Sequence, residues 1–183
     1  MFAAGHCRAR CLDVILGLLC MSPLITAAQK TTDTRLEAAY IYNFAKFVEW
    51  PPYKFPNTST PIRFCVLNDF AFQSELNRAV TAKTISGRTL EVVLLRDASQ
   101  ALQCHVLFIN AAQERQIEHL LKPLRGASVL TVGETDGFLD EGGMINFSLK
   151  NDQVQFRINR KAAQEANLYL SSRLLSLAKK VVE

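Results

Sequence analysis

Short apolar runs alternate with amphipathic stretches through the first two thirds of the chain. Residues 33–49 carry apolar side chains at three-to-four spacing, which predicts a helix that begins at Asp33 and ends before Pro51. Further helices are predicted at residues 69–82, 97–102 and 112–124, and strands at residues 62–67, 89–95, 106–110 and 128–132. Such alternation predicts an α/β fold of three layers, a mostly parallel sheet with helices on both faces. In a doubly wound order of 2-1-3-4, the first and third strands are neighbours.

The pattern changes after residue 133. Residues 144–149 and 153–158 flank a short polar turn, which predicts an antiparallel hairpin at one edge of the sheet. From Asn159 to the C-terminus the apolar periodicity predicts one long final helix. Its first apolar stripe consists of Ala163, Ala166, Leu170, Leu174, Leu177 and Val181.

A second apolar stripe on that predicted helix consists of Leu168, Leu175 and Val182. It lies about 120° from the first, whereas a core-facing helix usually needs only one stripe. Either the first helix covers the second stripe, or another chain does, a second copy or a receptor. We therefore predict Leu168, Leu175 and Val182 as partner-binding residues.

The N-terminus has the layout of a secretory signal peptide. Arg8 and Arg10 are followed by an apolar run over residues 14–25 and by small residues up to Ala28, where cleavage is expected. The run is shorter than the roughly 20 residues that cross a bilayer. An uncleaved anchor is one alternative, and a lipoprotein at Cys20 is a weaker one. Residues 29–183 are thus predicted to be a single exported domain that does not span the membrane.

Composition narrows the functional classes. Hydrophobic residues make up 49% of the chain, enough to build an ordinary core. Without residues 1–28 the chain holds 19 basic and 16 acidic residues, and their signs are interspersed. We therefore expect no nucleic-acid partner.

Two of the five cysteines, Cys65 and Cys104, follow the predicted cleavage point. In an oxidising compartment they most simply form one disulfide. Cys65 lies in the first predicted strand and Cys104 just before the third, and these two strands are predicted to be neighbours, which agrees with that pairing. The alternative is two buried free thiols. No C-x-x-C motif occurs, so neither a catalytic nor a metal-binding role is expected of them.

The carboxyl ends of parallel strands are the usual place for a ligand. Asn68, Asn110 and Glu134 follow predicted strands there, and they would line the pocket of a small-ligand-binding protein. Asn110 stands where a phosphoreceiver needs an aspartate, and His105 and His119 have no evident nucleophile beside them. Glycine-rich phosphate loops and the G-x-S-x-G elbow are missing from the sequence. We expect a protein that is not an enzyme and holds neither cofactor nor metal.

Two further side chains are candidates for ligand binding. Trp50 precedes two prolines, and it is either a half-buried anchor or the aromatic wall of a ligand groove. Arg173 lies among apolar neighbours, where it either extends its charge to water or holds a carboxylate or phosphate.

Several segments together resemble the YfiR-like family of exported regulators. The longest is residues 40–51, YIYNFAKFVEWP. The others are TVGE at 131–134, GF at 137–138, GGMINF at 142–147, FRINRKAA at 156–163 and LSSRLLSLA at 170–178. Their order and spacing cover nearly all of residues 29–183.

The resemblance implies a periplasmic, dimeric α/β protein. Such a protein binds the periplasmic part of an inner-membrane diguanylate cyclase and represses it, which lowers cyclic di-GMP signalling and biofilm formation. The partner here is then a cyclase or another membrane sensor. Cys65 and Cys104 fit the structural disulfide of the family, whereas residues 137–147 contain no cysteine for the second disulfide of some members. The alternative function is a periplasmic small-ligand-binding protein that serves a membrane sensor or transporter.

Overall fold

A curled, mostly parallel sheet of eight strands forms the centre of the molecule in a computed structural model that describes residues 24–150 and 153–183. The strands of the structure are β1 (Val48–Glu49), β2 (Ile62–Leu67), β3 (Thr84–Ile85), β4 (Arg88–Leu95), β5 (Val106–Ile109), β6 (Leu130–Gly133), β7 (Ile145–Lys150), β8 (Gln153–Asn159), β9 (Tyr169–Leu170) and β10 (Lys180–Val182). The α-helices are α1 (Leu24–Lys46), α2 (Phe70–Val80), α3 (Ile117–Leu121), α4 (Arg160–Glu165) and α5 (Ser172–Leu177). Four 3-10 helices cover Pro52–Lys54, Ala98–Gln103, Ala111–Gln116 and Lys122–Leu124. The large sheet has the order β10-β8-β7-β6-β5-β2-β4-β3.

The central strands follow the doubly wound order. Strand β2 pairs in parallel with β4 on one side and β5 on the other, and β6 pairs in parallel with β5. For the four strands predicted from the sequence, this order is the expected 2-1-3-4. The fold class is therefore confirmed for the central part of the sheet.

Helices cover both faces of the sheet, as predicted. Helices α1 and α2 pack on one face, where Ile41, Phe44 and Leu76 are buried in the larger core cluster. On the other face, Ile117, Leu120 and Leu121 of α3 join the smaller core cluster. Strands β2 and β5 alternate their side chains between the two clusters, as a strand period of two requires.

Helix α1 differs from its predicted bounds. It begins at Leu24 rather than at Asp33, and it ends at Lys46 because Val48–Glu49 forms strand β1. Up to residue 23 the predicted signal peptide lies outside the described residues, and so do Asn151 and Asp152 at the tip of the hairpin.

The predicted hairpin is present as β7 and β8, which pair antiparallel. Strand β7 also pairs in parallel with β6, so the hairpin extends the central sheet. It does not form the edge, because β10 pairs in parallel with β8 beyond it.

The prediction of one long final helix is wrong. Asn159 does cap a helix, since its side chain accepts a hydrogen bond from Ala162 N, but that helix ends at Glu165. Asn167 then adopts the left-handed conformation, with φ of 55°, and Leu170 pairs with Val48 in the small sheet of β1 and β9. Ser171 caps the short helix α5 by accepting a hydrogen bond from Leu174 N.

The break in the final helix also removes the predicted second stripe. Leu168 lies between α4 and β9, so the prediction that it lies on a helix face is wrong. Its side chain is only 3% exposed and belongs to the larger core cluster. Leu175, on α5, is partly buried against that same cluster. Val182, on β10, packs against the smaller cluster. The three side chains therefore do not share one helix face.

Candidate functional site

A cavity of about 470 Å³ opens at the carboxyl ends of β2, β5 and β6. Parallel strands bring the residues that follow them to the same edge of the sheet, which is the usual position of a ligand in such folds. Helix α1 contributes the opposite wall. The main side chains that line the cavity are Glu37, Asp69, Phe72, Phe108, Asn110 and Glu134.

The polar side of this cavity is organised by hydrogen bonds between its loops. Asn110 Nδ2 donates to Asp69 Oδ2 at 2.8 Å, and Asp69 Oδ1 accepts from Phe72 N at 2.9 Å, which caps helix α2. The Ala111 N–H donates to Glu134 Oε2 at 3.2 Å. The Asn110 Oδ1 atom is enclosed and has no hydrogen-bond partner among the described residues.

Three carboxyl groups give the cavity its charge. Burial raises the pKa of Glu134 above its ordinary value, and the charge of Asp69 adds to that rise. A hydrogen bond from Ala111 N–H and a side-chain hydrogen bond with Glu37 act in the opposite direction on the same pKa. Two carboxyl groups in such contact either share a proton or face a cation. The hydrogen bond between Glu134 and Glu37 requires a proton on one of the two groups, and an ammonium group is the kind of ligand that could replace that proton.

An aromatic pair forms the apolar wall. The rings of Phe72 and Phe108 lie with their centroids 4.2 Å apart, and both side chains are buried. A ligand held here would combine a cationic group with an apolar body.

Of the residues predicted for this pocket, the structure brings Asn110 and Glu134 together but leaves Asn68 out of the lining. Asn68 is exposed, has φ of 53°, and its N–H donates to Leu95 O at 2.9 Å. The next residue, Asp69, takes its place. The sequence signal for Asp69 was its position as a helix cap, whereas Glu37 of α1 could not be assigned to the pocket without the fold.

The predicted ligand-binding residues Trp50 and Arg173 both have intramolecular partners. Trp50 Nε1 donates to His105 O at 3.1 Å, and its ring meets the His105 imidazole edge-on. The Arg173 guanidinium lies 5.7 Å from the centre of the Phe47 ring, within the range of a cation–π contact. These contacts account for both residues as structural elements, and their role in ligand binding stays a prediction.

The disulfide links strand β2 to the residue pair that precedes the neighbouring strand β5. Cys65 on β2 is bonded to Cys104, which directly precedes His105 and strand β5, and the two are 39 residues apart in sequence. Both side chains are 1% exposed or less. The bond is thus buried in the smaller core cluster.

The C-terminal segment is a second candidate surface, because it carries two of the large apolar side chains that are exposed among the described residues; the others are Tyr53, Phe70 and Leu102. Tyr169 on β9 is 62% exposed and Leu177 on α5 is 63% exposed. The predicted second stripe missed both residues, because it followed a continuous helix that the structure breaks.

The described residues contain neither a membrane-spanning helix nor a metal-binding cluster. Among the helices of the described residues, none has both the length and the hydropathy to cross a bilayer. Within the same residues, no group of three or more His, Cys, Asp or Glu side chains is arranged to hold a metal ion.

Comparison with known proteins gives a family and a fold. The sequence model of the family described as YfiR/HmsC-like matches residues 34–179. A comparison with curated proteins gives no match. The similar solved structures include a conserved domain protein from Vibrio cholerae O1 biovar eltor, with a TM-score of 0.56, and the ABC domain in complex with L-Trp from Streptococcus pneumonia, with a TM-score of 0.53.

These likenesses are structural rather than close in sequence. Each structure is 11% identical to this chain in sequence. The matched region comprises 79% of this chain and 60% of the other protein's chain. The chain thus spans about three fifths of either protein, and the similarity shows the α/β fold alone.

Proposed function

The chain belongs to the YfiR/HmsC-like family, and from that membership we propose that it is a periplasmic regulator of an inner-membrane diguanylate cyclase. It binds the periplasmic part of the cyclase and represses it, which lowers cyclic di-GMP and restrains biofilm formation. It has no catalytic activity of its own and needs no cofactor. The observation that carries the proposal is the family match, which extends over residues 34–179.

Export is part of the same proposal. Residues 1–28 act as a signal peptide that is cleaved after Ala28, and residues 29–183 then work in the periplasm as one domain. A buried disulfide between Cys65 and Cys104 is compatible with such an oxidising compartment. The working form is a homodimer, which light scattering on the purified protein would test.

The C-terminal segment is the proposed contact surface for the cyclase. Tyr169 and Leu177 expose apolar area there, and Leu175 and Val182 are partly exposed beside the core. Leu168 supports the segment from inside. Exposed aromatic and aliphatic side chains of this kind commonly anchor protein interfaces.

The test measures cyclic di-GMP in cells that lack the gene and in cells complemented with variants. Deletion is expected to raise cyclic di-GMP, and the wild-type gene is expected to restore the low level. A folded Leu177→Asp variant should fail to restore it, whereas Leu102→Asp should succeed. Leu102 is a matched control because it is 54% exposed on a 3-10 helix at a different part of the surface.

The outcomes separate the function from the surface. Unchanged cyclic di-GMP on deletion contradicts the regulatory function. A raised level that Leu177→Asp restores as well as the wild type does contradicts the C-terminal segment as the contact surface and leaves the function standing.

One structural observation favours a second function, the binding of a small ligand that is passed to a membrane sensor or transporter. It is the cavity of Glu37, Asp69, Asn110 and Glu134 at the strand ends. A thermal-shift screen with amines, amino acids and nucleotides tests it. One amine or amino acid should raise the melting temperature of the wild type and have no effect on Glu134→Gln. An absence of stabilisation by every compound contradicts this second function.

A further inference from the structure

A second cavity, of about 390 Å³, lies on the outer face of the β7–β8 hairpin, beside the start of β10. The register pairs Asn146 with Arg157 and Ser148 with Gln155, so these four side chains share that face. The alternating residues Phe147 and Phe156 are buried in the core on the opposite face.

Arg157 is held in place by a buried asparagine. Asn146 is 3% exposed, and its Nδ2 donates to Thr135 O at 2.7 Å and to Gly133 O at 3.4 Å. This fixes the orientation of the amide, since both of those acceptors belong to the main chain. The Asn146 Oδ1 atom then accepts from Arg157 Nε at 3.2 Å and from Nη2 at 2.7 Å.

The Arg157 guanidinium has N–H groups that Asn146 does not engage. It has five N–H groups in a planar fork, and Asn146 engages two of them. The nearest carboxylate, Asp136 Oδ1, lies 3.8 Å from Nη2, beyond hydrogen-bond distance, on a fully exposed side chain. Such an exposed pair is weak in water, so Arg157 is both oriented and available to an anion.

Two lysines add to the positive charge of the cavity. Lys179 Nζ donates to Gln155 Oε1 at 2.7 Å, which holds the ammonium over strand β8. Lys180 lines the cavity as well and is exposed. Among the lining residues, Arg157, Lys179 and Lys180 face the single carboxylate of Asp136, which leaves a net charge of +2.

From this arrangement we propose that the outer face of the hairpin is a binding site for a phosphate group, held by Arg157, Lys179 and Lys180. A dianionic phosphomonoester balances the net charge of the cavity. Its three free oxygens are arranged as a pyramid and can meet a guanidinium fork and two ammonium groups at once, whereas a carboxylate offers two oxygens in one plane. The hydroxyl of Ser148 also lines the cavity, where it donates a long hydrogen bond of 3.4 Å to Gln155 O. To donate to the phosphate it must give up that bond, since a serine hydroxyl has a single proton.

Calorimetric titration of the purified protein at low ionic strength tests the site, with glycerol 3-phosphate and inorganic phosphate as probes and succinate as the carboxylate comparison. Saturable binding of a phosphate probe is expected, with succinate weaker. Arg157→Gln should lower the affinity by about tenfold or more, and Arg157→Lys should lower it less, because it keeps the charge and loses the fork. Lys179→Ala should also weaken binding.

Arg160→Gln is the matched control. Its side chain is 42% exposed, against 41% for Arg157, and it pairs with Glu183 rather than lining the cavity. The control should bind the probe like the wild type. Equal losses in Arg157→Gln and Arg160→Gln would mean unspecific charge attraction and would overturn the proposal. Tighter binding of succinate than of glycerol 3-phosphate would also overturn it.

Vesicles distinguish a lipid from a soluble source of the phosphate. If the natural ligand is a lipid headgroup, the wild type should sediment with vesicles that contain phosphatidic acid, whereas Arg157→Gln should stay in the supernatant. Retention of both proteins, or of neither, together with binding of the soluble probe assigns the site to a soluble phosphomonoester. If the folded wild type binds neither the vesicles nor a soluble phosphate, the proposal is wrong.

Discussion

Trp50 Nε1 donates a hydrogen bond of 3.1 Å to the main-chain carbonyl of His105. This bond connects the segment after helix α1 to the residue that precedes strand β5. His105 is 4% exposed, and the ring of Phe55 stacks on it at 4.7 Å while Trp50 meets it edge-on at 5.9 Å. Trp50 is therefore part of the packing at the amino-terminal edge of the sheet.

The first prediction concerns that hydrogen bond. Trp50→Phe keeps an aromatic ring but removes the donor, so the free energy of unfolding should fall by about 1–2 kcal/mol. Urea denaturation followed by circular dichroism measures it. Tyr53→Phe is the control, because the Tyr53 hydroxyl also makes a hydrogen bond, at 2.7 Å to Ser128, but the residue is 67% exposed. A smaller loss is expected there, and equal losses would contradict a special role of Trp50.

The second prediction is a loss of stability in acid through His105. Burial, aided by the positive charge of Lys54, lowers the pKa of His105 from 6.5 to about 4. The main-chain N–H of Arg63 donates to His105 Nδ1 at 3.0 Å, which also requires a neutral ring. The unfolded chain therefore binds more protons than the folded protein between pH 6.5 and 4. Stability contributed by His105 is full above pH 6.5 and decreases as the pH falls, by roughly 2–3 kcal/mol at pH 4.

Denaturant unfolding at a series of pH values checks this effect. The His105→Asn variant should lose less stability than the wild type on going from pH 7 to pH 4. His119→Asn is the matched control, since His119 is exposed on α3 and should keep the pH dependence of the wild type. Parallel pH curves for the wild type and His105→Asn would contradict the assignment.

The third prediction concerns the disulfide. Cys65 and Cys104 close a loop with a sequence separation of 39, for which the chain-entropy estimate is about 4 kcal/mol. The Cys65→Ala/Cys104→Ala variant should therefore be less stable by about 3–4 kcal/mol. Repression of the cyclase is then measured at low temperature, where this variant is still folded. Repression equal to that of the wild type indicates a structural bond, whereas altered repression indicates a switch. A stability equal to that of the wild type would contradict the structural role.

The fourth prediction concerns Glu134 in the strand-end cavity. Burial raises the pKa of Glu134, so the folded protein holds its proton more tightly than the unfolded chain does. The protonated Glu134 side chain therefore favours the folded state at low pH. This contribution to the free energy of unfolding is lost as the pH rises from the pKa of Glu134 in the unfolded chain through its higher pKa in the folded protein. Glu134→Gln should therefore raise the melting temperature at pH 7 and leave it nearly unchanged at pH 4. Glu118→Gln, at an exposed position of α3, should change neither value.

The central sheet could be predicted from the sequence because its signals are local. The runs that form β2, β4, β5 and β6 are separated by helical segments, and this alternation dictates parallel strands. Helix caps could also be predicted from the sequence. Asp69, Asp97 and Asn159 all accept main-chain hydrogen bonds at helix starts.

The C-terminal segment could not be predicted in the same way. Its apolar periodicity resembles one helix, but Asn167 takes φ of 55° and Ser171 starts a new helix. The pairing of Leu170 with Val48 decides the break, and a contact between residues so far apart in sequence leaves no local signal. For the same reason, the strand-end rule found Asn110 and Glu134, whereas Glu37 was missed because it comes from helix α1.

The most direct test of the regulatory account is co-purification of the oxidised, folded protein with solubilised inner membranes, followed by mass spectrometry of the retained proteins. If the protein represses a cyclase, it should capture a membrane protein that has a periplasmic region and a diguanylate cyclase domain, and Leu177→Asp should capture less of it than Leu102→Asp. Capture of a different membrane sensor, or of no membrane protein at all, would contradict repression of a cyclase as the function of this chain.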